Sequence, residues 1–200
     1  MSSRLKEFLV ELRACKTNKE ERDFIANEKT LIRESFNKNQ AALKPRNLIK
    51  LIFMVLQGYE VDFGQVEAIS LACRPTLLEK QVGYLGMSVF LHDQTDFLMM
   101  ATNRLVLDLE HPNAMVRALS LTAISTIADA DMCRSASMGV LGLMTGSGAR
   151  SLPASSIFSS STHKMDKQSM TEPVEKSLII RKKAVHAARR ILTKCPELYP

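Results

Sequence analysis

The stretch RNLIKLIFMVL, Arg46 to Leu56, comes back three times in altered form: VGYLGMSVFL from Val82, RALSLTAISTI from Arg117 and RKKAVHAARRIL from Arg181. The four versions begin 36, 35 and 64 residues apart. Each carries apolar residues at the i, i+3, i+4, i+7 spacing of one helix face. The long third step contains a Ser-rich stretch, Thr145 to Pro173, with eight serines and almost no helical pattern. Removing most of that stretch brings the third step near the other two. A period of roughly 35 to 40 residues points to repeated helical units that bury their apolar faces only by stacking.

Working outward, the periodicity predicts helix pairs over 3–15 with 18–38, 44–57 with 63–74, 76–91 with 96–110, and 113–128 with 131–144, then a last helix over 177–195. In the first pair, Leu5, Phe8, Leu9 and Leu12 form one face, and Phe24, Ile25, Leu31, Ile32 and Phe36 form the next. Thr17 opens a T-x-x-E box with Glu20, where the threonine oxygen bonds a free amide of the first turn. Gly58 suits a left-handed helix stop. Asp62 to Gln65 and Thr76 to Glu79 read as further capping boxes. Pro45 and Pro112 suit first turns, where a missing amide costs nothing. The expected fold is all-α, a HEAT/armadillo-like α-solenoid: a helical-repeat part over 1–144, a Ser-rich insert over 145–173, and a continuation over 174–200. The insert has too little apolar surface to offset the entropy of ordering it.

Composition excludes several classes. A net charge of +6 in 200 residues suits an acidic partner or an anionic lipid surface. It comes with no Trp and three Tyr, so a base-stacking nucleic-acid platform is not expected. Cys15, Cys73, Cys133 and Cys195 lie about sixty residues apart, which is neither zinc spacing nor a disulfide framework, and they read as reduced thiols. LIFMVL, Leu51 to Leu56, is too short an apolar run to span a bilayer. His92, His111, His163 and His186 have no partner at metal or triad spacing, and no G-x-S-x-G or P-loop is present. No catalytic residue, metal or cofactor is expected.

Several stretches resemble a known family. ELRACKTNKEERDFIANEKTLIRESF, NLIKLIFMVLQGYEVDFGQVEAISL, KQVGYLGMSVFL, DMCR and IRKKAVHAARRILTKCPEL are similar to the N-terminal trunk of clathrin adaptor large subunits, the adaptins. The GY-x-x-x-FGQ and K-x-x-GYL elements stand in order and correctly spaced. FGQ, DMCR and PEL lean to the gamma type, while EVDFG and EKQVGYL also suit alpha. The resemblance implies a curved, non-enzymatic scaffold in clathrin-coated vesicle transport, peripheral on trans-Golgi and endosome membranes. Implied partners are beta-type large, medium and small adaptor subunits, an Arf-family GTPase, a phosphoinositide surface and dileucine-type cargo tails. Clathrin would be reached only through parts beyond Pro200, where the family runs on to a hinge and an ear. A solenoid cut between repeats leaves an apolar face uncovered, so poor behaviour of this piece alone is expected. The alternatives are another α-solenoid binding module, such as an armadillo-type transport scaffold, or the alpha-type large subunit of the plasma-membrane endocytic adaptor.

The resemblance also points to particular residues. Arg13 falls where an arginine meets the acidic residue upstream of a dileucine signal; from its position alone it is a solvated arginine. Lys44, Arg46 and Lys50 cluster at a helix start, where free amides, the dipole and cations suit a phosphate. The family's phosphoinositide contact falls there, phosphatidylinositol 4-phosphate for the gamma type. Val66 and Ile69 read as core by period, whereas the family uses apolar residues in this helix to meet the GTPase switch region. Exposure of both side chains would separate the two readings. The last helix is strongly basic, with Ile180, Val185, Ala188 and Leu192 available for packing and no site assigned.

Overall fold

The computed structural model describes residues 4–91, 95–145 and 174–198. Among them lie nine α-helices and no strand: α1 Leu5–Ala14, α2 Asn18–Asn37, α3 Lys44–Leu56, α4 Gln65–Ala72, α5 Leu77–Phe90, α6 Thr95–Leu109, α7 Ala114–Ile127, α8 Ala130–Thr145 and α9 Val174–Lys194. Single 3-10 turns cover Ala41–Leu43 and Pro196–Leu198. Apart from Thr145, which ends α8, the Ser-rich segment lies outside the described residues.

The helices form two layers. In one, α3, α5, α7 and α9 lie side by side; in the other, α4, α6 and α8 do the same. This alternation is the expected solenoid, and one continuous apolar seam from Phe8 to Cys195 runs between the layers. Leu48, Leu51, Leu71, Met87, Leu105 and Ile124 are fully buried along it. The α1 helix is held at the near end by Phe8, whose ring stacks on Phe24 at 5.6 Å and meets Phe53 edge-on at 6.0 Å.

The tightest pairs are offset by one helix from those predicted. The α4 helix packs most closely on α5, α6 on α7, and α9 on both α7 and α8. Small residues decide this. A Cβ added at Gly83 of α5 would stand 2.4 Å from the Ala72 amide nitrogen and 2.8 Å from the Ala68 carbonyl oxygen. Only glycine lets the two backbones approach so far. Likewise Ala184, Ala187 and Ala188 are buried where α9 meets its neighbours.

Buried polar groups lock the layers together. Lys80 of α5 donates to the Ala72 carbonyl at 2.8 Å and pairs with Asp108 of α6 at 2.8 Å. Tyr84 donates to the same carboxylate at 2.6 Å, and Arg104 completes its shell. Burial alone would raise the Asp108 carboxyl, but the bonds from Arg104, Lys80 and Tyr84 win and hold it below the usual carboxylate range. Burial and the bond to Asp108 push the Tyr84 phenol well above its ordinary value. Ser120 ties α7 to α6 through the Leu105 carbonyl at 2.7 Å.

Helix ends follow local chemistry, with three corrections. Thr17 accepts from the Glu20 amide at 3.2 Å as expected, while the Glu20 carboxylate takes the Lys16 amide at 3.0 Å. Gly58, at φ 90°, ends α3 with paired bonds: its own amide to the Val55 carbonyl at 2.9 Å and that of Tyr59 to Met54 at 3.0 Å. Asp62 does not cap α4; Gly64 stands before that helix, and Asp62 pairs with Arg33 instead. Thr76 gives its hydroxyl to the Glu79 carboxylate and caps no amide. Pro112 lies outside α7, whose cap is Asn113, accepting from the Met115 amide at 2.9 Å.

Candidate functional site

Sequence-predicted contact residues fall on three neighbouring helices, α1, α3 and α4. Arg13 is exposed in the last turn of α1, where a cation also faces the negative end of the helix dipole. Lys44 and Arg46 sit half-buried in the first turn of α3. That turn is fixed from both sides. The α2 helix ends at Asn37, and just past it Asn39, at φ 49°, donates its amide to the Phe36 carbonyl at 2.9 Å. Asn47 then donates to the Ser35 hydroxyl at 3.0 Å, which donates to Gln40 at 3.0 Å. Pro45 occupies the first turn of α3 as expected.

Lys50 does not join this pair at the surface. It is fully buried and meets Glu28 of α2 at 2.5 Å, with its ammonium 5.4 Å from the centre of the Phe8 ring. The reason is angular: Lys50 lies one turn beyond Asn47 and one turn before Met54, on the buried side of α3. A charge survives there because Glu28 offers the opposite one from the facing helix. The cluster of three cations is therefore a surface pair plus an internal tie joining α1, α2 and α3. A signal existed in the sequence. Glu28 falls on the apolar stripe Ile25, Ile32, Phe36 of its helix, an unusual place for an acid.

Val66 and Ile69 part company as well. Val66 is 50 % exposed near the start of α4, while Ile69 is 7 % exposed and belongs to the core. Both cannot be contact residues in this arrangement, since the buried stripe Ala68, Ile69, Leu71, Ala72 faces α5 and α6. Ile69 holds the helix down, and Val66 is the side chain presented to solvent.

The loop between α3 and α4 sets the direction of α4 and holds both the Gly58 helix stop and the expected capping box at Asp62. GYEVDFGQ, Gly58 to Gln65, is braced along its length by α2. The Tyr59 hydroxyl donates to Glu21, Lys29 donates to the Glu60 carbonyl at 2.6 Å, and Arg33 pairs with Asp62 at 2.8 Å. Arg33 also lies 4.5 Å from the Phe63 ring centre, and Phe36 meets that ring edge-on at 6.3 Å. The bond to Glu21 pushes the Tyr59 phenol up to about 12. Thus Tyr59 and Phe63 of the GY and FGQ elements act as fasteners between α2 and the start of α4. Among the described residues no group of three or more His, Cys, Asp or Glu is placed to hold a metal ion, and no helix is long and apolar enough to cross a membrane.

Comparison with known proteins matches these elements. The family model described as "Adaptin N terminal region" matches residues 21–150. AP-1 complex subunit gamma-1 of Arabidopsis thaliana is 39 % identical over 132 residues, 66 % of this chain and 15 % of that protein. AP-1 complex subunit gamma-like 2 of Mus musculus is 37 % identical over 133 residues, 66 % of this chain and 17 % of that protein. AP-2 complex subunit alpha-1 of Arabidopsis thaliana is 34 % identical over 149 residues, 72 % of this chain and 15 % of that protein. The chain spans under a fifth of the length of such relatives. Identity is higher to these gamma subunits than to this alpha subunit. A two-layer helical stack, a GY-x-x-x-FGQ loop fastened to α2 and the match over 21–150 agree: the chain belongs to the adaptin N-terminal family, a non-enzymatic scaffold family, as a large-subunit trunk most like the AP-1 gamma type.

Proposed function

We propose that this trunk segment is a scaffold for a clathrin-associated adaptor complex in vesicle transport between the trans-Golgi network and endosomes, peripheral on those membranes. Its partners are the beta-type, medium and small subunits, with clathrin reached only through other parts of the assembly. Residues 1–144 and 174–200 are one trunk interrupted by 145–173, a reading supported by the packing of α9 on α7 and α8. Arg13 pairs with the acidic residue of a dileucine-type cargo tail. Lys44 and Arg46 contact a phosphoinositide headgroup at the start of α3, without Lys50. Val66 contacts an Arf-family GTPase, with Ile69 as its support.

The observation that carries this reading is the rigid presentation of an exposed apolar residue, Val66, by a loop that α2 holds at four points. It is tested by pull-down of the chain on Arf loaded with a non-hydrolysable GTP analogue or with GDP. Capture by the GTP form alone, lost in Val66→Asp, is expected. Equal capture of both forms, or capture unchanged in Val66→Asp, would contradict it. Retention on vesicles bearing phosphatidylinositol 4-phosphate, weakened by Lys44→Gln with Arg46→Gln, is expected for the lipid contact. Retention on those vesicles unchanged by the two substitutions would contradict it.

A further inference from the structure

The start of α8 and the end of α9 are fastened to each other at several points. Arg190 donates to the Ala128 carbonyl at 3.0 Å, just before α8 begins. The Cys195 thiol, one residue past the end of α9, donates to the Ala130 carbonyl at 3.3 Å. In the turn that follows, Glu197 pairs with Arg134 of α8 at 3.3 Å. Cys133 lies one turn along α8 from Ala130, and the Cys195 sulfur stands within hydrogen-bonding reach of its thiol. Both residues are fully buried, and both thiols are free. Burial above all, with the neighbouring Cys195 sulfur and Asp129, pushes the Cys133 thiol up to about 11, while Arg190 works the other way. Two cysteines far apart in sequence therefore meet side by side. Cys15 and Cys73 stand elsewhere, just past α1 and α4, with Cys73 exposed.

We propose that Cys133 and Cys195 form a redox latch: a peroxide converts the two thiols into one intramolecular disulfide that ties the start of α8 to the end of α9. One equivalent of peroxide balances the reaction. One sulfur attacks the peroxide, the O–O bond breaks, and a sulfenic acid and one water are formed. The second sulfur attacks the sulfenic sulfur, the S–O bond breaks, and the disulfide and a second water are formed. The two sulfurs lose two electrons, the peroxide gains them, and both thiol protons end in water. The bond needs the sulfurs about 2 Å apart. Closing that gap asks little of the fold, since Cys195 follows the last residue of α9 and is not inside the helix. Neither sulfur meets solvent in the closed fold, so the small oxidant enters when the last turn of α9 opens locally. That opening step and a protonated Cys133 keep the resting pair reduced, unlike an exposed thiol such as Cys73. The latch does not depend on the cargo, lipid or GTPase contacts.

The test uses the full 200-residue chain, reduced and then treated with hydrogen peroxide. Remaining thiols are blocked with N-ethylmaleimide in denaturant, and the digest is mapped by mass spectrometry. The expected product is a Cys133–Cys195 link within one chain, at least roughly tenfold more abundant than any link through Cys15 or Cys73, and undone by dithiothreitol. Repeating the oxidation in concentrated urea is the control for proximity. Successive cysteines are about sixty residues apart, so loop closure alone should then give the three neighbouring links in similar amounts. The oxidised chain should melt about 5 °C or more above the reduced one, and Cys195→Ser should lose both the link and that rise. Links made mainly through the exposed Cys73 would overturn the proposal. So would sulfinic or sulfonic acid at Cys133 or Cys195 without a link, or both thiols still blocked by the maleimide after Cys73 has been oxidised. A linked chain that melts no higher than the reduced one would overturn it as well.

Discussion

At the scale of single residues, charge and location separate. Lys50 reads as part of a surface cluster because lysines are seldom buried, yet Glu28 makes its burial tolerable. Lys50→Ala leaves that carboxylate buried without its ammonium partner and is expected to cost about 3–5 kcal/mol in urea unfolding. Glu28→Leu combined with Lys50→Met should recover most of the loss, since both charges then leave together. A Lys50→Ala cost under about 1 kcal/mol would show a surface role instead. Asp108 gives a pH signature. Its carboxyl is depressed in the folded chain, so its contribution is complete above the ordinary carboxylate value of about 4 and is lost as pH falls through the lower folded value. The stability gap between the parent and Asp108→Asn should therefore be constant from pH 5 to 7 and narrow in acid. Tyr59 gives the opposite case. Its phenol, pushed up to about 12, stabilises below the ordinary value of about 10 and loses that contribution as pH rises toward 12. Tyr59→Phe should remove the phenolate absorbance step near 12.

At the scale of elements, most boundaries were legible and most pairings were not. The α3 helix, expected over 44–57, runs Lys44–Leu56, and α7, expected over 113–128, runs Ala114–Ile127. Periodicity and caps settle such ends because they are local. Which helix lies deepest against which neighbour depends on how closely two backbones approach, and periodicity does not record that. Gly83 held the information, but a glycine in a helix reads as a weakness until Ala68 and Ala72 are seen opposite it. Gly83→Ala should force α4 from α5 and cost about 1–3 kcal/mol, with the last turn of α4, at Ala72, the first region to lose hydrogen-exchange protection. Thr17→Ala should cost only about 1 kcal/mol, because it removes one cap bond at the surface. The same limit explains Val66 and Ile69. Three residues apart on one helix, they fall on either side of a burial boundary that α5 and α6 draw.

At the scale of the whole molecule, the repeat in the sequence translates into layers. All four versions of the opening stretch lie in the same layer, as α3, α5, α7 and α9, which is why they resemble one another. Each of the later three packs on the one before it, so each carries an apolar stripe at helical spacing. What lies on the outer faces was only partly legible, because exposure of Val66, Val185 and Leu192 depends on neighbours and not on spacing. The scaffold role rests on these outer faces being taken by partners. Co-expression of the chain with a small adaptor subunit, followed by affinity purification and size exclusion, tests that role most directly. The account predicts a stoichiometric complex that elutes as one species. A small subunit that stays in the flow-through while the chain elutes without it would contradict it.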